Sequence, residues 1–384
     1  MDKNALGNPC EKHSPFPKFV GECRRVKLNE ICSKGKSSLR QKDVTNDGPY
    51  SVYGASGAVG TTSDYQNEIP YVAVIKDGAG VGRASACEPM TSVLGTMQAL
   101  IPNPNVERDY LLYLVRSLRL DEGFSGSTIP HIYFKDYGKI EVPLPSLEAQ
   151  KRIVSQLGLI EAQIEQAEAQ ITQLDQLVKS RFVEMFGDCH CEKKSIGDLV
   201  YEMHIGPFGS AMKSDAFVSE EEAACVVYEQ KHAIKQSIDL GWRYVDAAKK
   251  SELKRFAAGP GTILVSCRGT IGKVFQLPDN APIGIIHPSV MKIEIDESKL
   301  NGVFFSFLLE KLFAEAETRA VGSGVKMAIK AKDLASTEIG YPPIQFQQEF
   351  AAFVAQVDKL RFATQRQIEK LETLKKSLMQ EYFG

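Results

Sequence analysis

The sequence predicts an α+β protein built as a tandem repeat. Two globular α/β regions each lead into a long helix, and the two helices pair as an antiparallel coiled coil with pseudo-two-fold symmetry. Three observations predict this. First, Val183-Glu184-Met185-Phe186-Gly187 returns as Gln380-Glu381-Tyr382-Phe383-Gly384 at an offset of 197, and 15 of the 56 positions from 132 to 187 are identical to their partners. Second, each copy carries a long apolar seam at heptad spacing. Third, the residues ahead of each seam form short β-branched runs closed by glycine-rich turns. The expected division is 1–145 and 188–343 for the globular regions, with 146–187 and 344–384 for the helices.

In chain order, Tyr71-Val72-Ala73-Val74-Ile75 is the first strand with a clear signature, and Lys76-Asp77-Gly78-Ala79-Gly80-Val81-Gly82-Arg83 is the turn that follows it. The first seam runs through Ile153, Leu157, Ile160, Ile164, Ala167, Ile171, Leu174 and Val178, in steps of four and three. Thr262-Ile263-Leu264-Val265 and the turn Ser266 to Lys273 repeat the strand and turn. At an offset of 190, Val74-Ile75 falls on Leu264-Val265 and Arg83 on Lys273. The second seam holds Phe350, Val354, Val357, Ile368, Leu371 and Leu378, interrupted by Arg361 and Thr364. No Gly or Pro lies within 159–186 or 344–383, so nothing breaks either rod, and Gly158 is one weak point. About 35 residues at 1.5 Å each give a rod of roughly 50 Å.

At 384 residues the chain exceeds one ordinary core. Its 43% apolar and 24% charged residues are globular proportions. A mean hydropathy of -0.18 and no long uncharged apolar stretch predict no transmembrane helix, and residues 1–19 lack the apolar core of a secretory signal. The eight cysteines are therefore expected to be reduced cytosolic thiols. Cys189-His190-Cys191 does not have the spacing of a zinc ribbon, so no metal is expected.

Catalytic patterns fail one after another. Tyr341-Pro342-Pro343-Ile344 lacks the amide or carboxylate that an amino-methyltransferase needs to receive its target amine. Ser33-Lys34-Gly35-Lys36-Ser37 has Glu30 where a phosphate loop needs glycine, and Arg268 to Lys273 is too short. No Gly-x-Ser-x-Gly elbow occurs. The expectation is a chain without chemistry of its own.

What remains is a binding surface. The net charge is -2, yet residues 18–42 hold eight cations against Glu22 and Glu30. The two matched turns leave a strand and end on Arg83 and Lys273. Glycines let the backbone approach a phosphate, which the cation then neutralises. Lys36, Lys76, Arg268 and Thr270 join this set. A second matched pair of loops precedes the rods, with Ser127, Thr128 and His131 in one and Ser323 and Lys326 in the other.

Together these residues resemble the specificity subunit of type I restriction-modification systems. The resemblance spans nearly the whole chain and is most specific at Pro143 to Ile153 and Pro342 to Gln348, although Phe346 stands where that segment usually has an acidic residue. The segments Tyr50 to Gly57 and Gly206 to Lys213 look like further signatures, which adds Ser56, Ser210 and Lys213 to the candidate DNA contacts. The resemblance implies two target-recognition domains, each reading half of a bipartite asymmetric DNA sequence, with the coiled coil fixing the gap. It also implies a cytoplasmic complex with two modification subunits and two restriction subunits. Those partners would use S-adenosylmethionine for adenine-N6 methylation and ATP with Mg for the motor, while this chain binds no cofactor. The rival reading is a coiled-coil adaptor that joins proteins.

Overall fold

The structure, a computed structural model, describes residues 23–122, 130–187, 191–321 and 330–384. Two compact units emerge, Met1–Glu168 with Gln365–Gly384, and Ala169–Thr364. Each unit therefore takes part of both long helices, whereas the sequence division gave each helix a segment of its own.

In the first unit, strands Cys32–Lys34, Met97–Pro102, Tyr71–Ile75 and Ala84–Cys87 lie side by side in that order, all antiparallel. Tyr71–Ile75 is buried throughout, and its alternating side chains serve two cores. Val72 and Val74 face the helix Arg108–Ser117, while Tyr71, Ala73 and Ile75 fill a second cluster with Val93 and Met97. A smaller sheet joins Gly57–Thr62, Tyr50–Gly54 and Ser92–Val93.

The second unit repeats this plan. Val200–Ile205, Val290–Ile295, Ile263–Ser266 and Val274–Gln276 form the corresponding sheet, again all antiparallel. Ile263 and Val265 face the helix Gly302–Val321, and Leu264 faces the opposite cluster. The second sheet runs Tyr244–Val245, Cys225–Tyr228, Gly284–Ile286 and Ala257–Ala258.

The register corrects one sequence alignment. Val74 pairs with Ala84 and Val265 with Val274, so Val74 matches Val265, one residue away from the uniform offset of 190. The first glycine-rich turn carries one more residue than the second, and a gapless comparison cannot see that.

The rods are the helices Leu147–Phe186 and Ile344–Phe383. Within the first unit, Tyr382 donates to Gln156 at 2.5 Å and Lys375 to Glu161 at 2.5 Å. Within the second, Arg361 pairs with Asp175 at 3.4 Å and Arg181 lies over the Phe353 ring at 6.0 Å. In both, rising numbers on one helix meet falling numbers on the other, so the pairing is antiparallel. The seam residues Ile153, Leu157, Ile160, Val178, Phe350, Val354, Val357, Ile368 and Leu378 are buried, and Ile164, Ile171, Leu174 and Leu371 are half-buried. Of the two expected interruptions, Thr364 is buried within the seam while Arg361 turns out to its ion pairs with Asp175 and Asp358.

Gln150 and Gln347, matched at offset 197, explain the repeated Pro-x-x-x-x-Gln segment. Both are fully buried. Gln150 donates to Pro145 O and Asn105 O and accepts from Glu107 N. Gln347 does the same with Pro342 O, Lys299 O and Asn301 N. Each amide thus ties the entry of a rod to the start of the helix packed on its sheet, satisfying backbone groups that burial would otherwise strand.

Cys23, Cys32, Cys87, Cys225 and Cys267 are free thiols. Cys191 instead is disulfide-bonded, which departs from the expectation of reduced thiols throughout. Cys189 and His190 lie outside the described residues. Among the described residues, no cluster of metal-ligating side chains occurs, and no helix is long and apolar enough to cross a membrane.

Candidate nucleic-acid interface

The first glycine-rich turn is closed by Gly82 N on Ile75 O at 2.8 Å and Ile75 N on Arg83 O at 2.9 Å. Gly78, Gly80 and Gly82 have φ of 85°, 84° and 86°, a region that side chains avoid. At Gly82 a Cβ would also stand 2.5 Å from Asp121 N, so the turn can pack against the backbone that follows the helix Arg108–Ser117 only with glycine there.

The segment that precedes the first rod docks on this turn. Ile132 N donates to Lys76 O, Gly78 N donates to Pro130 O, and His131 Nδ1 lies against Asp77 Oδ1. Lys76 is half-buried, and burial together with the charge of Lys34 pulls its pKa below the usual lysine value. Lys34 lies over the Phe134 ring at 5.9 Å and Lys135 over Tyr133 at 5.0 Å. A basic and aromatic cluster therefore gathers around Lys76 and His131, and an arriving phosphate would relieve the repulsion inside it.

Arg83 is exposed, with Nε donating to Gly80 O at 3.4 Å. Lys36 is exposed beside Asn67, which accepts from the Lys36 backbone N–H. Ser56 is exposed at the tip of the hairpin 50–62. Ser127, Thr128, Ser323 and Lys326 lie outside the described residues.

The second turn closes in the same way, with Ser266 N on Lys273 O and Gly272 N on Ser266 O. Arg268 and Thr270 are exposed, and Thr270 O accepts from Gln230 Nε2 at 3.3 Å. Cys267 N donates to Ser289 O, and the Ser289 hydroxyl lies 2.8 Å from His287 Nδ1. Burial first, then the charges of Arg243 and Arg268, hold the His287 pKa below its ordinary value and favour a neutral imidazole. Arg243 stands over Phe217 at 3.9 Å and pairs with Glu229, which Lys231 also reaches at 3.1 Å. The Gly206 signature loop joins this group. Gly206 N donates to Val290 O, and a Cβ at Gly206 would lie 2.2 Å from His287 O. Ser210 and Lys213 on that loop are exposed.

Lys273 departs from its twin. It lines a cavity of about 410 Å³ with Lys179, Phe182 and Glu310. Burial pushes the Glu310 carboxyl up, and the charges of Lys273 and Lys179 oppose that rise. Lys273 is exposed, as Arg268 is, and its charge acts on a carboxylate of its own unit.

Sequence reading missed Gln230, Arg243 and His287. The parallel pairing of Cys225–Tyr228 with Gly284–Ile286 brings Gln230 and His287 together, the antiparallel pairing with Tyr244–Val245 adds Arg243, and nothing local in the sequence signals either pairing.

A family model described as the type I restriction modification DNA specificity domain matches residues 22–176 and 237–373. The chain is 22% identical over 408 residues to the type I restriction enzyme EcoDI specificity subunit of Escherichia coli, covering 95% of this chain and 89% of that one. It is 24% identical over 295 residues to the type I restriction enzyme MjaVIII specificity subunit of Methanocaldococcus jannaschii, covering 70% and 68%. Among solved structures it is similar to the S subunit of a type I restriction-modification system from M. genitalium, with a TM-score of 0.58 and 15% identity over 96% of this chain and 97% of that one. A chain from work on assembly and conformational transition of the type I R-M system gives 0.63 and 16%, over 96% and 99%. These two likenesses support the fold.

Proposed function

The chain belongs to the type I restriction-modification DNA specificity family, and from that premise we propose that its two globular regions each read one half of a bipartite, asymmetric DNA target. The chain is the specificity subunit of such a system. Its family is non-catalytic, and its partners are DNA and the other subunits of the system. The adaptor reading is not favoured.

One observation carries the proposal. The same sheet, in the same strand order, supports two matched glycine-rich turns whose surroundings differ. Lys34, Lys76 and His131 gather at the first, and Arg268, Arg243, Gln230 and His287 at the second. A repeated frame with different side chains suits two modules that bind the same polymer and read different sequences, since base edges carry the code while phosphates carry affinity. The paired rods set the distance between the half-sites and receive two modification subunits, which bind S-adenosylmethionine and methylate adenine N6. Two restriction subunits with ATP and Mg complete the cytoplasmic complex. This chain itself binds no cofactor.

The test is methylation-sensitive sequencing of a host with and without the gene. The expected result is a two-part motif of modified adenines that vanishes with the gene. An unchanged methylome, with the modification subunits present and active, overturns the reading.

A further inference from the structure

We propose that Phe208 is an aromatic wedge that inserts between base pairs of the half-site read by the second region. The proposal rests on the DNA-reading function above and adds a residue and a mode of contact to it. Phe208 is 89% exposed, and its loop is not slack. On one side Gly206 N is bonded to Val290 O at 2.8 Å and Pro207 is buried. On the other, Ala211 N is bonded to Phe208 O at 2.8 Å and Met212 is 5% exposed. A phenyl ring held out from a frame anchored on both sides loses little further conformational entropy when it is buried by a partner.

Its surroundings suit a polyanion. Gly206 abuts His287, on which the charges of Arg243 and Arg268 both act. Lys213 follows on the same loop and is exposed. Of the carboxylates nearby, Glu229 is already paired by Arg243 and Lys231, while Asp215 is exposed two residues beyond Lys213. An apolar wedge flanked by cations is the arrangement by which proteins unstack a base step and bend the duplex around themselves.

At the matching place in the first region, among the described residues, no ring stands out in this way. The segment after its corresponding strand, Gly35 to Arg40, holds no aromatic residue and is tied down. Ser37 Oγ accepts from Ala99 N at 2.9 Å, Ser38 N donates to Gln66, and Leu39 is half-buried. Of these two matched segments, only the second therefore presents a wedge.

The test uses the full chain assembled with its modification subunits, and the target duplex mapped by methylation, with 2-aminopurine placed in turn through both half-sites except at the methylated adenines, which the modification subunits would themselves flip out of the stack. In wild type, fluorescence should rise on binding at one step, in one half-site. Phe208→Ala should abolish the rise and weaken binding to the target by about tenfold, within the range of about 1–3 kcal/mol found for stacking on an aromatic side chain, while random duplex binds as before. Phe208→Leu, still a wedge, should keep the rise. Target binding with no rise in wild type, or a rise that survives Phe208→Ala, overturns the wedge alone. Loss of assembly with the modification subunits in Phe208→Ala also overturns it, by assigning the ring to a protein contact. Failure of the wild-type assembly to prefer its target overturns the DNA-reading function, and the wedge with it.

Discussion

Arg268 and Lys76 sit on matched turns but face different tasks. Arg268 is exposed, and its planar fork can take guanine O6 and N7 together. Lys76 is half-buried among other cations, a place suited to a phosphate. Arg268→Ala should therefore cost about 1–3 kcal/mol on the target and little on random duplex. Lys76→Ala should weaken both alike and reduce the salt slope by about one. Binding isotherms of the assembled methyltransferase at several salt concentrations decide between these roles, and equal losses for both variants on both duplexes would refute the assignment. Lys273, exposed although its charge acts on the Glu310 carboxyl, stays a candidate phosphate ligand. The glycines were legible because a strained turn has few alternatives to glycine. The direction of a long side chain was not, because it depends on a helix that lies distant in sequence.

The rods were legible for the opposite reason, since a heptad repeat is written in one dimension and needs no knowledge of the fold. Their polar contacts still needed the structure. Burial pushes the Glu161 carboxyl up, but hydrogen bonds from Lys375 and Tyr113 and the charges of Lys375 and Arg116 outweigh it, so its pKa lies below the usual glutamate value. A depressed carboxylate adds stability above its unfolded pKa and loses it as pH falls through the folded one. Glu161→Gln should thus lower the urea midpoint at pH 7, and the gap to wild type should close as the pH drops below the ordinary glutamate range. A gap that widens with acid would contradict the sign. Gly158 offers a simpler check. A Cβ there meets only the Tyr113 hydroxyl, at 4.0 Å, so Gly158→Ala should stabilise the helix by about 1 kcal/mol. The thermal midpoint should rise, and a fall would mean the first rod needs that glycine for an approach not seen here.

For the whole molecule, the proposal that the rods set the gap between half-sites makes a quantitative demand. One heptad inserted after Leu174 and one after Leu371 keeps the seam continuous on both helices. The antiparallel register shows why both insertions are needed. Glu161 and Lys375 lie on one side of the two insertion points, and Asp175 and Arg361 on the other, so both native pairings survive and only the middle lengthens. Each helix gains about 10 Å at 1.5 Å per residue. That equals roughly three base pairs at about 3.4 Å each. Since neither recognition region is altered, the same two half-sites should be methylated with about three more base pairs between them. Two residues inserted at each point would instead turn the seam by about 200°, to the far side of each helix, and assembly should fail rather than the gap move. Methylome sequencing of both strains reads the outcome directly. Methylation that persists in the heptad strain at the original gap would remove the helices from any role in spacing and leave the distance to the modification subunits.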